Sequence, residues 1–316
     1  MNIVVTGGAG FIGYHLTEAL LKRGNAITVY DNFSGLGSER IFELEEATLV
    51  RGDVLDPKEL YKACMNAELI YHLAAQTSVP DSTQDPCRDM ETNLRGTVNV
   101  LEAARRVRAR VIFASSAAVY GPPEWNPISE SAPLRPISFY GLSKKAAEEY
   151  CGMYQECYNV ASVVMRIFNC YGPHCHGVVH DVIQRLPRSG GELTLLGEPD
   201  WTKDFVYISD LIGALLVALD LDSSSELYIF NIGSGSATRL VDLAAEICRQ
   251  AGCRPALRFT ERSWYGDVTN AYADITKAEE QLDWRPRISL PQGIAKTLRW
   301  FRSRPPLPQV QSEARP

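Results

Sequence analysis

One stretch near the N-terminus decides the fold: Thr6-Gly7-Gly8-Ala9-Gly10-Phe11-Ile12-Gly13. It follows an apolar run, Ile3–Thr6, and opens an amphipathic stretch, Phe11–Arg23, so the spacing predicts a strand, a tight turn and a helix. The first glycine permits the turn, the second lets backbone approach a pyrophosphate, and the third lets helix and sheet pack closely. The helix N-terminus offers free N–H groups to an anion. We therefore expect a dinucleotide here, held by Gly7, Gly10, Phe11, Ile12 and Gly13.

Outward from this turn, apolar runs alternate with amphipathic stretches. The runs predict strands at Ala26–Tyr30, Thr48–Arg51, Leu69–Leu73, Val111–Ser115 and Ser162–Phe168, and the stretches predict helices at Asp56–Met65, Asn93–Arg106 and Tyr140–Tyr158. Such alternation with nearly continuous apolar strands is typical of a parallel sheet covered on both faces. The predicted class is α/β. A Rossmann-like doubly wound parallel sheet spans residues 1–168, with some later segments returning to it. A smaller C-terminal α/β substrate domain spans 169–303, and a disordered tail spans 304–316.

Composition narrows the function classes. The 316 residues carry 38 acidic side chains and 32 Lys plus Arg, a net charge of −6 that argues against a broad nucleic-acid-binding face. No stretch approaches the roughly 20 apolar residues of a membrane span, and the N-terminus lacks an export signal, so a cytoplasmic protein is expected. Eight cysteines without a CxxC pair predict reduced thiols. Cys170, His174, Cys175, His176 and His180 cluster in sequence but match no zinc spacing, so we predict no metal site.

Residues at the ends of the predicted strands outline the rest of a cofactor site, because ligands of open α/β sheets lie there. Asp31 ends the second strand at the distance expected of a carboxylate that hydrogen-bonds ribose hydroxyls. It would repel a 2′-phosphate, so NAD is favoured over NADP. The ends of the third and fourth strands add Asp53, Val54, Leu73, Ala74, Ala75 and Gln76.

Tyr140 and Lys144 begin a predicted helix one turn apart, on one face. A phenol with a pKa of about 10 is a poor base at neutral pH, and a nearby ammonium is expected to lower that pKa. Ser115-Ser116 ends a buried strand, so a hydroxyl there is placed to hydrogen-bond the same substrate oxygen. Together with the dinucleotide fold, these residues predict proton abstraction coupled to oxidation.

The motifs TGGAGFIG, DNFSG, HLAAQTSV, SSAAVYG, YGLSK, RIFNCYGP, KDFVYISD and YADITKA extend over roughly residues 1–303. In them the chain resembles the extended short-chain dehydrogenase/reductase superfamily, and within it nucleotide-sugar epimerases of the UDP-glucose 4-epimerase type. The resemblance implies catalysis by Tyr140, Lys144 and Ser116 with recycled NAD, and a homodimer formed through helices 93–106 and 140–158. Further cofactor residues implied are Asn32, Ser34, Gly35, Asn93, Ser115, Tyr140, Lys144 and Phe168. Implied substrate residues are Thr77, Ser116, Tyr140, Asn169, Val178, Lys203, Arg262, Asp267 and Ala271.

Departures from the family pattern bear on the reaction. Related 4,6-dehydratases carry Asp-Glu after the catalytic hydroxyl residue and glucuronate decarboxylases keep a Glu; here Ala117 and Ala118 occupy those positions, which disfavours elimination. A 4-epimerase needs no second base, so we expect 4-epimerisation of a UDP-hexose. The runner-up is another keto-intermediate enzyme acting on a different nucleotide sugar, such as a UDP-uronic acid. A silent NAD-binding regulator would lack Tyr140 or Lys144, and a nucleic-acid scaffold has only the basic run 105–110 in its favour.

Other departures bear on the sugar. The loop GPHCHGVVHDVI lacks the arginine that related glucuronate 4-epimerases place there, which favours a neutral hexose. The family's Arg-Asp-Phe is Lys203-Asp204-Phe205, so the bidentate fork is lost. Trp264 takes the place of a late arginine, and Arg262 lies slightly upstream. Ala271 stands where a tyrosine restricts substrate size, so an N-acetyl group is expected to fit.

Overall fold

The computed structural model describes residues 1–35, 37–186, 191–221, 227–260 and 264–303. In the first half the elements are β1 (Asn2–Thr6), α1 (Phe11–Lys22), β2 (Ala26–Asp31), β3 (Thr48–Arg51), α2 (Pro57–Cys64), β4 (Leu69–His72), α3 (Val79–Gln84), α4 (Pro86–Met90), α5 (Gly96–Val107), β5 (Arg110–Ser116), α6 (Phe139–Tyr158) and β6 (Ser162–Ile167). Short 3₁₀ turns cover Ser38–Glu43 and Ala117–Val119, and a π-helical turn covers Glu91–Arg95.

The second half is built from shorter pieces. Its strands are β7 (Asn169–Tyr171), β8 (Glu192–Leu196), β9 (Thr202–Lys203), β10 (Phe205–Tyr207), β11 (Tyr228–Ile232), β12 (Thr238–Arg239) and β13 (Ala256–Thr260). Its helices are α7 (Val178–Gln184), α8 (Ile208–Ala218), α9 (Leu240–Ala251), α10 (Thr276–Leu282) and α11 (Leu290–Arg302).

Seven strands form one parallel sheet in the order β11-β6-β5-β4-β1-β2-β3. The order reverses direction between β1 and β4, which creates the crevice where ligands of such sheets bind. Strand β11 comes from the second half of the chain and pairs with β6. The remaining strands make three small two-stranded sheets, β7 with β10, β8 with β13 and β9 with β12.

Side chains of the sheet alternate between two cores. Ile3 and Val5 of β1 belong to a buried cluster that includes residues of α1 and α8. Val4 points into the other cluster, with residues of α2, α5 and α6. Both faces of the sheet are therefore covered by helices, which explains why its strands are apolar almost throughout. The predicted doubly wound α/β class is confirmed.

The predicted elements are confirmed to within a few residues at most ends. The helix predicted from Asn93 instead begins with the π-helical turn, and the short helices α3 and α4 were not predicted. The domain boundary at residue 168 remains a prediction, and the tail 304–316 lies outside the described residues. Within those residues no helix is both long and apolar enough to cross a membrane.

Candidate active site

The glycine turn between β1 and α1 lies close against neighbouring backbone. Gly7 has a φ of +71°, and its N–H donates to the Tyr30 carbonyl at 2.9 Å. A Cβ on Gly7 would lie 2.5 Å from the Ala74 nitrogen, and one on Gly13 would lie 2.2 Å from the Gly7 oxygen. Within the described part of the chain no side chain caps α1. The turn therefore leaves the helix N-terminus to an anion and fits the pyrophosphate of a dinucleotide.

Asp31 lies at the end of β2, and each of its two carboxylate oxygens accepts a hydrogen bond from a backbone N–H group. Its Oδ2 accepts from the Ala9 N–H at 3.0 Å and its Oδ1 from the Phe33 N–H at 2.7 Å. Burial raises the pKa of this carboxyl. The adjacent Asn32 donates to Asp53 at 2.9 Å and so ties the ends of β2 and β3 together. Each Asp31 oxygen keeps acceptor capacity for a ribose hydroxyl, as NAD requires.

Asn93 fastens the loop that follows β4. Its Oδ1 accepts from the Gln76 N–H at 2.8 Å, and its Nδ2 lies 3.0 Å from the Gln76 carbonyl, 2.9 Å from Asp89 Oδ1 and 3.2 Å from Ser143 Oγ. Its amide is thus engaged with protein groups. Asn93, which was predicted to bind the cofactor, thus connects the loop 73–77 to helix α6. This loop carries Leu73, Ala74, Ala75 and Thr77.

Tyr140 lies in the first turn of α6, where backbone N–H groups lack helical partners. Ser138 caps the helix by accepting from the Gly141 N–H at 3.0 Å. Ser82 of α3 accepts from the Tyr140 N–H at 3.2 Å. Ser116 lies near the phenol of Tyr140 and acts to lower its pKa. Of the predicted catalytic residues, the structure therefore places Tyr140 and Ser116 close to each other.

Lys144 is almost fully buried, with 2% of its surface exposed. Its ammonium donates to the Ala114 carbonyl at 2.9 Å and lies 4.7 Å from the centre of the Phe113 ring. Burial lowers the pKa of Lys144 to about 8. Burial and the Asp89 charge raise the pKa of Tyr140, and Ser116 opposes them. The lowering of this pKa by Lys144 stays a prediction. The ammonium is directed to backbone rather than to the phenol.

Ser115 is turned away from its neighbour Ser116. Its hydroxyl donates to the buried Glu148, which also pairs with Arg166 at 2.7 Å. Arg166 in turn donates to the Tyr120 hydroxyl at 2.9 Å. The side chain of Ser115, predicted to bind cofactor, is therefore committed to a buried network that anchors the end of β5 to α6.

Asp204 organises the predicted substrate half, although it was not predicted as a site residue. It is fully buried, and its carboxylate accepts from the Ser234 N–H and hydroxyl and from the N–H groups of Gly235 and Ala273, at 2.6–3.1 Å. Its carbonyl accepts from the Asn169 amide at 2.8 Å. The turn at 233–236, which resembles a phosphate loop in sequence, is thus occupied by a carboxylate.

Lys203, implied as a substrate residue, is engaged with another side chain. Its ammonium forms an ion pair with Asp267, and the two side chains are only 13% and 12% exposed. Two opposite charges so far removed from water stabilise each other, whereas either alone would be costly. Ala271 packs with Phe168 in a small buried cluster. Val178 begins α7, Thr77 is exposed, and Arg262 lies outside the described residues.

The histidines that cluster in sequence are distributed over aromatic contacts. The His174 ring lies 4.5 Å from that of Trp300, and the His176 and His180 rings are 5.9 Å apart. Among the residues that the structure describes, no three His, Cys, Asp or Glu side chains form a group that could hold a metal ion.

Sequence reasoning missed Ser82, Asp89, Glu148, Arg166 and Asp204. Glu148 carried a usable indication, since it lies on α6 one turn after Lys144 and shares its buried face. The others are single polar residues whose partners are remote in sequence, so no spacing pattern identifies them.

The chain is similar to known proteins over nearly its whole length. A family model described as GDP-mannose 4,6 dehydratase matches residues 4–297. A putative UDP-glucose 4-epimerase of Methanocaldococcus jannaschii is 34% identical over 312 residues, covering 95% of this chain and 98% of the relative. UDP-glucuronic acid decarboxylase 1 of Xenopus tropicalis is 35% identical over 315 residues, covering 95% of this chain and 72% of the relative.

Two solved structures are similar over nearly the whole chain. The UDP-glucose 4-epimerase of Thermotoga maritima with UDP-glucose has a TM-score of 0.90 at 32% identity, covering 96% of this chain and 99% of that one. The UDP-glucuronic acid 4-epimerase of Bacillus cereus with UDP-glucuronic acid and NAD has a TM-score of 0.89 at 30% identity, with the same coverage. The chain belongs to the NAD-dependent nucleotide-sugar epimerase family of the extended short-chain dehydrogenases/reductases, a family that also contains decarboxylases.

Proposed function

We propose that the enzyme interconverts the C4 epimers of a UDP-hexose through a transient 4-keto sugar. The observation that carries this proposal is the turn beside the catalytic serine, Ala117–Val119, which has no side chain able to move a proton. This turn touches the catalytic helix, since a Cβ on Gly141 would lie 2.5 Å from the Ala118 carbonyl oxygen. Overall similarity does not decide the reaction, because epimerases and decarboxylases are almost equally identical to this chain. The site itself favours epimerisation.

In the proposed mechanism, Tyr140 removes the proton of the sugar 4-hydroxyl and later returns it. NAD, when bound, supplies a positively charged nicotinamide that accepts a hydride from the sugar carbon and gives it back. Ser116 holds the 4-oxygen through its hydroxyl and lies near the phenol, whose pKa it acts to lower. Lys144 keeps a positive charge beneath the site, fixed by the Ala114 carbonyl. The keto sugar turns over between the two transfers, so one base serves both faces.

A neutral hexose is supported over a uronic acid by the charges of the substrate half. The described loop 172–177 carries no arginine, and the Lys203 ammonium is already paired with Asp267. A sugar carboxylate would therefore meet no unpaired cation from either segment. The small side chain of Ala271 supports acceptance of the N-acetylhexosamine pair alongside glucose and galactose. A UDP-uronic acid remains the alternative substrate.

The test is to incubate the purified protein, without added NAD, with UDP-glucose, UDP-galactose, their N-acetylated counterparts and UDP-glucuronic acid. We expect epimers of the neutral sugars and no loss of carbon dioxide. Conversion of UDP-glucuronic acid alone would replace this proposal with the alternative. Tyr158→Phe, at the exposed C-terminal end of α6, is the matched control for Tyr140→Phe, and we expect it to keep full turnover.

We also infer that the enzyme acts as a homodimer in the cytoplasm. Residues 139, 142, 146, 150, 153 and 157 form a stripe on α6 at spacings of three or four residues. Four large side chains of this stripe, those of Phe139, Leu142, Tyr150 and Met153, are 45–54% exposed. Such an apolar stripe is typical of a helix that packs against a second copy. Light scattering of a Leu142→Glu variant should report a monomer, with Glu149→Gln on the same helix remaining dimeric.

A further inference from the structure

His72 is a buried histidine at the end of β4, on the edge of the sheet where the cofactor is expected to bind. It pairs in register with Thr6 at the end of β1, directly before the glycine turn. Two residues earlier on the same face of the sheet, the pair Val4 and Ile70 belongs to the apolar core. A polar pair beside this core is costly unless its hydrogen bonds are made, so the imidazole needs a partner at each ring nitrogen.

Each ring nitrogen of His72 meets a threonine hydroxyl. Nδ1 lies 2.8 Å from Thr6 Oγ1, and Nε2 lies 3.0 Å from Thr97 Oγ1 on α5. All three residues are buried, with at most 1% of their surface exposed. The imidazole also stacks on the ring of Phe113, with 5.6 Å between the ring centres and 26° between the ring planes. His72 therefore bridges β1 and α5 through one ring whose orientation is fixed.

The direction of these hydrogen bonds follows from the Thr97 hydroxyl, which has a single proton. That proton is donated to the Asn93 carbonyl at 2.6 Å, because a carbonyl oxygen can only accept. Thr97 must therefore accept from His72, so the ring carries its proton on Nε2. Burial, and next the positive charge of Lys144, lower the pKa of His72 to about 3, so the ring is neutral. Its Nδ1 is then an acceptor and receives the proton of the Thr6 hydroxyl.

The chain of hydrogen bonds continues through Asn93 to the catalytic helix. The Asn93 amide donates to Ser143 Oγ at 3.2 Å, and the Ser143 hydroxyl donates to the Tyr140 carbonyl at 3.0 Å. At the other end of the chain, the Thr6 hydroxyl accepts from the Ala74 N–H at 3.4 Å. A continuous series of contacts among buried side chains thus joins the end of β1 to the backbone of the proposed base.

The proposed reaction needs the two ends of this chain in alignment. Hydride transfer requires the nicotinamide beside the sugar carbon, while proton transfer requires the Tyr140 phenol beside the oxygen on the same carbon. The cofactor is expected on the glycine turn that follows β1, whereas Tyr140 lies on α6. These two elements are remote in sequence, and a displacement of about 1 Å between reacting groups can cost about 10²-fold in rate.

We propose that His72 is a positioning residue of the reaction, whose ring ties the glycine turn to the helix that carries Tyr140. The proposal deepens the epimerase function and rests on it. In this role His72 touches neither substrate nor cofactor. It acts through Thr6 on one side and through Thr97 and Asn93 on the other. An imidazole suits the position because it offers one donor and one acceptor on a single rigid ring.

The first experiment reads the direction of the chain and needs no turnover. In protein labelled with ¹⁵N-histidine, the ring of His72 should appear at pH 7 as the neutral form protonated on Nε2, assigned by the loss of its signals in His72→Gln. We expect this Nε2 proton to exchange slowly with water, because its bond to Thr97 is buried. A ring protonated on Nδ1, or on both nitrogens, would overturn the proposal.

The second experiment breaks the chain while keeping the shape of the side chain. Thr97→Val removes the hydroxyl between His72 and Asn93. Thr297→Val is the matched control, since Thr297 on α11 is also buried and its hydroxyl donates to the carbonyl four residues earlier, at 2.8 Å.

We expect kcat of Thr97→Val to fall roughly 10- to 100-fold, because the base and the cofactor lose their alignment. KM for the UDP-sugar and the NAD content should stay near wild type, since neither binding site is altered. Thr297→Val should keep the kcat of wild type. A kcat of Thr97→Val that falls no further than that of the control would overturn the proposal.

A double variant tests whether the ring of His72 transmits the effect. Thr6→Val and Thr97→Val interrupt the same chain at two places, one at each ring nitrogen. We expect both single variants to lose kcat, and the double variant to lie within about threefold of the slower single variant. Losses that multiply in the double variant would refute coupling through His72. Absence of epimerisation in wild type would instead reject the proposed function.

Discussion

The two halves of the molecule use their polar residues differently. In the cofactor half, the glycine turn and Asp31 lie at the strand ends where sequence places them, and the acceptor capacity of Asp31 is left for a ligand. In the substrate half, Lys203 is paired with Asp267, and the Asn169 amide donates to the Asp204 carbonyl. The first half presents a preformed site, whereas polar groups of the second half satisfy one another.

This difference arises because the two halves are held in shape by different kinds of interaction. Backbone in a tight turn is fixed by glycines next to one another in sequence, so it does not depend on distant partners. The substrate half is held by side-chain contacts between remote segments, such as Asp204 with Ser234 and Ala273. We expect changes in the first half to alter the chemistry or cofactor binding, and changes in the second half to alter substrate affinity.

Loss of the Tyr140 hydroxyl should have the largest effect. Tyr140→Phe removes the proposed base, so kcat should fall by at least about 10³-fold while NAD content and the unfolding temperature stay near wild type. Turnover is measured by epimer formation, with Tyr158→Phe as control. An active Tyr140→Phe variant would contradict the assignment of Tyr140 as the base.

Neutralising the Asp204 carboxylate should disturb the substrate half alone. Asp204→Asn weakens charge-assisted hydrogen bonds to Ser234, Gly235 and Ala273, each worth about 1.5–3 kcal/mol. KM for the UDP-sugar should rise about 10- to 100-fold with NAD retained, whereas Asp200→Asn, at an exposed position nearby, should behave as wild type. A loss of NAD in Asp204→Asn would show that the two halves are not separable in this way.

A smaller effect is expected when Asp31, the residue predicted to select NAD over NADP, is changed. Asp31→Asn removes the charge that orders ribose hydroxyls, so affinity for NAD should fall about tenfold, a change of about 1.4 kcal/mol. Affinity for NADP should rise, because the repulsion of a 2′-phosphate is gone. Both are measured by titration of protein stripped of dinucleotide, beside the exposed control Glu46→Gln. Unchanged preference would contradict the role given to Asp31.

The smallest effect is expected at Lys203. Arginine at this position restores a bidentate fork towards Asp267, so Lys203→Arg should change KM for the UDP-sugar less than about threefold and leave kcat unaltered. KM and kcat are measured by steady-state kinetics, with Lys58→Arg as control. A gain in affinity of tenfold or more would mean that residue 203 reaches the diphosphate despite its ion pair.

Prediction from sequence succeeded where one segment carries its own geometry. The first turn and the strands belong to this class, because strand ends of a parallel sheet gather at one edge. The sequence did not indicate that the Lys144 ammonium donates to the Ala114 carbonyl or that Lys203 pairs with Asp267. Burial decides these cases, and burial depends on how distant segments pack. Asp89 escaped notice for the same reason, since α4 meets α6 only in the folded chain.

Strand β11 has a consequence for how the chain is made. Until Tyr228–Ile232 has been synthesised, β6 is the outer strand of the sheet, whereas in the complete structure its six residues are buried and it pairs with β11. An apolar outer strand with open N–H and C=O groups can pair with other chains. We therefore expect a fragment that ends at residue 168 to aggregate, because it lacks the strand that covers β6. A shorter fragment intended to bind the cofactor alone would need β11 added to it.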